Sequence, residues 1–219
     1  MLNLIAGLIA PSAGTLAWWG GDLAATGGPG RRLGFVFQSP TLMPWASVQS
    51  NVRLPLELAG TPKAEADARV AEALKLVGLG KFSGALPRAL SGGMQMRVSI
   101  ARGLVMQPQL LLMDEPFGAL DEITRHKLDT ELLALWAAKK LTVVFVTHSI
   151  HEAVFLSTRV VMMAARPGRV VEQVRIDEPY PRTPDFMVTP QFSRYARQLQ
   201  ESLLRASANT ADSDEEVSR

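Results

Sequence analysis

Two runs of consecutive apolar residues, Leu110-Leu111-Leu112-Met113 and Leu141-Thr142-Val143-Val144-Phe145-Val146, constrain this chain more than any other feature. A strand with one wet face alternates apolar and polar side chains. A strand that is apolar at nearly every position is covered on both faces, as in a parallel sheet. Glu122–Lys139, between the two runs, reads as a helix, and Arg159–Ala164 reads as a third strand. The order strand, helix, strand, helix, strand predicts an α/β sheet. With 219 residues, 47% of them hydrophobic, the chain is long enough for one large domain or a domain with a small subdomain.

Other elements follow from local signals. Leu33–Phe37 is a short apolar run of strand type with Gln38 at its end. Thr61-Pro62 offers a helix start, Thr at the N-cap and Pro at the first helical position. Val70, Ala73, Leu74 and Val77 then recur at helical spacing, with Gly78 as a stop. Met94–Met106 is predicted helical, Gly168–Ile176 can add a hairpin, and Phe192, Tyr195, Leu199 and Leu203 mark a C-terminal helix. A helical subdomain is expected over about 41–88, inserted in a domain spanning 1–205. Ala206–Arg219 is polar and acidic and is expected to be a disordered tail.

Composition narrows the function classes. Lys and Arg number 23 against 21 Asp and Glu, a net charge of +2 that gives no nucleic-acid footprint despite a pI of about 9.1. No cysteine is present, which removes disulfides and thiolate metal sites. No apolar run approaches the ~18–20 residues of a membrane span. The apolar start Met1–Ala10 lacks the basic region of a signal peptide, the first positive charge being Arg31. It reads instead as a buried helix ended by Pro11 and Gly14.

Five places carry candidate chemistry. Asp114 and Glu115 close an apolar strand, and ligands of parallel sheets sit beyond the carboxyl ends of the strands. Asp114 is placed to hold Mg²⁺ and Glu115 to orient or deprotonate a water; an acidic helix start is the alternative. Ser91-Gly92-Gly93 offers a hydroxyl and backbone N–H groups at a helix start, a phosphate cradle or simply a Ser cap. His148, after the next strand, can hydrogen-bond a γ-phosphate or be structural. Gln38 can complete a Mg²⁺ or water site or be a surface amide. Asp121, after Gly118-Ala119-Leu120, follows the carboxylates and alone reads as a helix N-cap.

The order Gln38, Leu90-Ser91-Gly92-Gly93-Met94-Gln95, Leu110–Glu115, Ala119–Asp121 and His148 resembles the ATP-binding subunit of ABC transporters, over Met1 to about Arg175. Met113–Asp121, His148–Val154 and Arg166-Pro167-Gly168-Arg169 are similar to the nitrate/sulfonate/taurine-type importers. The resemblance implies a P-loop NTPase-like parallel sheet flanked by helices, with ATP and Mg²⁺ as cofactors and Glu115 and His148 as catalytic residues. It implies that Asp114 and Gln38 serve the metal. It also implies a head-to-tail dimer of ATPase subunits. In it, Gln38, Asp114, Glu115 and His148 of one subunit face Ser91, Gly92, Gly93 and Gln95 of the other across each ATP, with Asp121 crossing between them. Membrane permease subunits, an external solute-binding protein reached indirectly, and a place on the cytoplasmic inner face of the membrane are implied as well. The solute is expected to be a small anion such as nitrate, sulfonate or taurine. Met43-Pro44-Trp45 is apolar for a loop and either meets the permease or tucks in as an anchor.

A P-loop needs glycines, a Lys and a Ser or Thr between a strand and a helix. Gly27-Gly28-Pro29-Gly30-Arg31-Arg32 is glycine-rich but has no such Lys, and reads as a loop. Met1–Leu8 is similar to the helix that follows the P-loop, so the expectation is that the sequence starts about one residue too late to include it. The upstream strands and an adenine-stacking aromatic are then missing too, and the chain alone is expected to be inactive. Two rival classes remain: a non-catalytic partner that docks on a permease or an intact subunit, and a DNA-repair ATPase. The short Gln38-to-Ser91 span and the lack of cysteine disfavour the DNA-repair class.

Overall fold

The computed structural model describes residues 1–18, 21–22, 33–139, 141–165 and 168–216. The Gly27–Arg32 loop and the Arg166-Pro167 pair fall outside them. The chain divides into two compact units, Met1–Glu131 with Leu135–Val146, and Leu132–Ala134 with Thr147–Arg219.

The first unit is built on three parallel strands in the order β3 (Leu33–Val36), β4 (Leu110–Asp114), β5 (Thr142–Val146). Leu110–Met113 are all buried, as their unbroken apolar run requires. Successive side chains point to opposite faces. Leu110 and Leu112 pack with Leu2, Leu16 and Phe35, while Leu111 faces α4 (Gly92–Leu104), beside Gly103. That helix lies directly on β3. A Cβ on Gly34 would stand 2.4 Å from the Gly103 carbonyl oxygen, so glycine is required there. β5 differs from expectation, since its residues are half-buried or exposed. Its partner in the sheet, among the described residues, is β4 alone.

The N-terminus is the second difference. α1 (Leu2–Ile5) is a single turn, because Gly7 adopts φ 72° and ends the helix before Pro11. Leu8 and Ile9 are exposed, so the apolar start is not one buried helix. A short antiparallel pair follows, β1 (Ala17–Trp18) with β2 (Gly21–Asp22). Between β3 and α4 lie α2 (Val48–Leu58), α3 (Lys63–Leu76) and short 3-10 turns at Gly80–Phe82 and Pro87–Ala89. α3 begins one residue later than expected: Pro62, extended at ψ 141°, is itself the cap, and Thr61 is not. Gly78, at φ 70°, stops the helix where the sequence placed the stop.

The second unit holds α6 (Ile150–Leu156), the antiparallel hairpin β6 (Arg159–Ala164) and β7 (Arg169–Arg175), and α7 (Pro190–Glu216). The Leu132–Ala134 stretch of α5 (Glu122–Lys139) belongs to it. Val154, Phe155, Met162, Val174, Phe186, Phe192 and Leu199 form its core with Leu133. β6 therefore pairs with β7 in a sheet of its own and does not extend the parallel order. α7 continues past Ala206, where a disordered tail was expected. Neither Gly nor a further Pro interrupts residues 191–216.

Candidate functional site

The sheet register brings three of the sequence-selected residues to one edge. Val36 pairs with Met113, so Gln38 and Glu115 lie level with one another just past the strand ends. The Gln38 amide Nε2 donates to Glu115 Oε2 at 3.4 Å. Asp114 is the last residue of β4, half-buried, and pairs with Val146. Glu115 has φ 43°, in the left-handed region that a Glu rarely adopts. The turn is held there: its N–H donates to the Val146 carbonyl at 2.9 Å, and the buried Phe117 packs on Phe145 with ring centroids 5.8 Å apart.

A second group assembles around the start of α4. Ser91 is the N-cap, its Oγ accepting the Met94 N–H at 3.3 Å. Gly92 lies by Leu120, and Gly93 is buried so tightly that a Cβ would stand 2.8 Å from Thr124 Cγ2. Ser91, Gly92 and Gly93 therefore neighbour the turn that carries Asp121. The absent Cβ of Gly93 makes room for Thr124. Gln95 Nε2 donates to the Pro87 and Leu90 carbonyls at 3.2 and 3.3 Å, holding the loop that leads to Ser91. Asp121 Oδ1 caps α5 by accepting the Thr124 N–H at 2.9 Å. That bond holds its carboxyl below the usual aspartate range.

His148 belongs to the second unit and is exposed. It sits inside a capped helix start. The Ser149 N–H donates to Thr147 Oγ1 at 2.9 Å, and Ser149 Oγ accepts the Glu152 N–H at 3.3 Å. Thr147 Oγ1 also donates to the buried Glu152 carboxylate. The Ser149-x-x-Glu152 spacing is a capping-box signal that would have flagged Glu152.

Three other residues were missed. Asn51, fully buried, accepts the Met43 N–H at 2.7 Å and donates to the Met43, Ala46 and Ser47 carbonyls. Arg102 donates to the Pro40 and Thr41 carbonyls and to Thr41 Oγ1. Arg182, buried, holds the end of α6. No motif announces them: Arg102 and Arg182 reach backbone oxygens that only the fold brings near, and Asn51 holds the loop just before it. Trp45 is 78% exposed, which excludes the tucked-in anchor.

Hard oxygen donors suit Mg²⁺, which keeps several waters and takes one or two carboxylates with substrate phosphates. Asp114 and the level pair Gln38 and Glu115 fit that demand. Among the described residues there is no cage of three or more His, Asp or Glu, which a metal held without phosphates and water would need.

The sequence matches the family model described as ABC transporter over residues 1–118. An uncharacterised ABC transporter ATP-binding protein of Methanocaldococcus jannaschii is 51% identical over 182 residues, 83% of this chain and 67% of that protein. The taurine import ATP-binding protein TauB of Rhizobium johnstonii is 49% identical over 177 residues, 81% of this chain and 66% of that protein. The solved structure of CbiO1 from Clostridium perfringens, described as part of the ABC transporter complex CbiONQ, superposes with a TM-score of 0.73 at 25% identity, covering 93% of this chain and 80% of that one. Family, relatives and fold agree, and the chain belongs to the ATP-binding subunits of ABC transporters.

Proposed function

We propose that the chain is the ATP-hydrolysing subunit of an importer for a small anion of the nitrate, sulfonate or taurine type. The observation that carries this reading is the Gln38–Glu115 pair at the carboxyl edge of β3 and β4, beside Asp114. In it Glu115 accepts a proton from the attacking water, and Gln38 orients that carboxylate through its amide. Asp114, with the Gln38 amide oxygen, holds Mg²⁺, which when bound neutralises charge on the phosphates. His148 hydrogen-bonds the terminal phosphate from its capped helix start. Ser91, Gly92, Gly93 and Gln95 act on a nucleotide held by a second ATPase subunit in a head-to-tail dimer, and Asp121 lies at the crossing. The relative named for taurine import supports the solute class.

In this reading the exposed Trp45, with Met43 and Pro44, meets the permease, and the helices of residues 41–88 carry motion to it. An external binding protein delivers the solute, and the subunit sits on the cytoplasmic face of the membrane. Residues 1–219 taken alone are inactive, because their sequence holds no glycine-rich run ending in Lys and Ser or Thr.

The test is Glu115→Gln in the complex reconstituted with its permease and a second ATPase subunit. Gln keeps an oxygen for the Gln38 amide but cannot take a proton. ATP turnover is expected to fall by about 100-fold or more with nucleotide binding retained. Undiminished turnover would assign catalysis to the other subunit and leave this chain as a non-catalytic docking partner.

A further inference from the structure

Gln38 is bracketed on both sides by contacts that no sequence motif describes. Before it, β3 is locked to α4 by the close approach of Gly34 to the Gly103 carbonyl. After it, the chain turns through Thr41 at φ 47°, a conformation that a β-branched residue strongly disfavours. Such a turn persists only where its surroundings impose it. Here the imposing group is the Arg102 guanidinium on the last turn of the same helix. Nη1 donates to the Thr41 carbonyl at 2.8 Å, and Nη2 donates to the Pro40 carbonyl at 2.9 Å and to Thr41 Oγ1 at 2.7 Å. The planar fork spans two residues at once, which a Lys ammonium on a flexible stem does not. Farther along, Asn51 grips Met43, Ala46 and Ser47.

We infer that Arg102 is the positioning residue for Gln38: from the C-terminal turn of α4 it fixes the Pro40–Thr41 turn and so holds the Gln38 amide against Glu115. Ser91 stands at the other end of the same 13-residue helix. A rod of ~20 Å therefore joins the Ser91 loop to the Gln38 turn within one chain, and movement at one end is delivered to the other. The inference rests on the proposed role of Gln38 at the ATP site, but the position itself can be tested without nucleotide.

The cysteine-free sequence allows a single spin label at the exposed Ser39, introduced as Ser39→Cys. With Arg102 intact the label is expected to show an immobilised component in its electron paramagnetic resonance spectrum. Arg102→Ala and Arg102→Lys should each lose that component. Arg97→Lys, which weakens the contact of the same helix with Glu131, should keep it. Arg102→Lys retains the charge and stem and keeps the test alive where Arg102→Ala fails to fold. An unchanged spectrum in folded Arg102→Lys overturns the inference. In the assembled complex, Gln38→Ala and Arg102→Lys should lower ATP turnover by a similar factor, and the double variant no further; multiplied losses overturn it. A Gln38→Ala complex with normal turnover refutes the role given to Gln38, while the label still decides the role of Arg102.

Discussion

A methyl group at position 93 has nowhere to go. Its Cβ would stand 2.8 Å from Thr124 Cγ2, whereas at position 92 the nearest atom, Leu120 Cδ2, is 3.6 Å away. The glycine pair is therefore two different residues. Gly93→Ala must push the start of α4 off α5 and is expected to cost about 1–3 kcal/mol. Gly92→Ala fits and exchanges glycine for a better helix former, so it should be neutral or slightly stabilising. Urea unfolding of the two variants side by side checks this, and equal losses would refute the packing account. Asp121 makes a pH prediction at the same scale. Its carboxyl is held below the usual aspartate range by the Thr124 N–H it caps. A depressed carboxyl contributes stability at pH values above its unfolded-state pKa, and loses it as the pH falls through its folded value. The urea midpoint of the wild-type chain should thus drop in the acid range below the ordinary aspartate pKa. Asp121→Asn, which keeps an acceptor for the cap but does not titrate, should show a shallower drop there. A wild-type and Asn variant with superimposable profiles would exclude this cap as the source.

At the scale of elements, α6 shows how a short helix is made to stand. Seven residues form too few internal bonds to be stable unaided. Its N-terminus is closed by Ser149, Thr147 and Glu152. Its C-terminus is closed by a buried arginine. Arg182 Nη1 donates to the Val154, Phe155 and Ser157 carbonyls at 2.9 to 3.0 Å, its remaining donors reach Ile176 and Glu178, and Tyr180 Oη donates to the Leu156 carbonyl at 2.9 Å. The guanidinium stacks 4.2 Å from the Tyr180 ring centroid. Burial lowers its pKa below the usual arginine range, and the ring of carbonyl oxygens compensates the charge. Arg182→Met removes every donor and leaves buried carbonyls unpaired, with an expected loss of about 3 kcal/mol or more. A urea midpoint within error of wild type would contradict it. This clamp also marks the limit of what the sequence discloses. β4 was readable because its burial is written in consecutive residues. Gln38, Asp114, Asp121 and the Ser91 loop were readable because they stand at ends of elements, where local signals are strong. Arg182 and Arg102 were not, since an arginine that donates to backbone oxygens 25 to 62 residues away has no local signature; Asn51 was not either, although its partners lie only 4 to 8 residues before it, because no motif marks a loop-holding amide. The Gly168–Ile176 hairpin was readable too, as β7 paired with β6, but the separation of that pair from the parallel sheet and the partial exposure of β5 were not: sheet neighbours are chosen over long distances, and a run of valines does not say which edge it will join.

For the whole molecule the question is how much of an ATP site residues 1–219 hold. Tight phosphate binding takes converging backbone donors together with a cation. The Ser91-Gly92-Gly93 helix start offers donors but no cation, and Gln95 spends its amide hydrogens on Pro87 and Leu90. The carboxyl edge of the sheet offers Asp114 and Glu115, which repel phosphate unless a metal lies between. A net charge of +2 supplies no long-range attraction for a multiply charged nucleotide. On the proposed reading, these groups act on a nucleotide that a second subunit holds. The polypeptide of residues 1–219, purified alone, is therefore expected to show no saturable uptake of Mg-ATP at about 0.1 mM in equilibrium dialysis, and no ATP-dependent dimer in sedimentation velocity. Mixed with an ATPase subunit that carries a glycine-rich run ending in Lys and Ser or Thr, it should form an ATP-dependent heterodimer, and Ser91→Arg in this chain should abolish that dimer. Mg²⁺-dependent binding to residues 1–219 alone with a Kd near 1 µM, worth about 8 kcal/mol, would show that this set of residues grips the nucleotide without help.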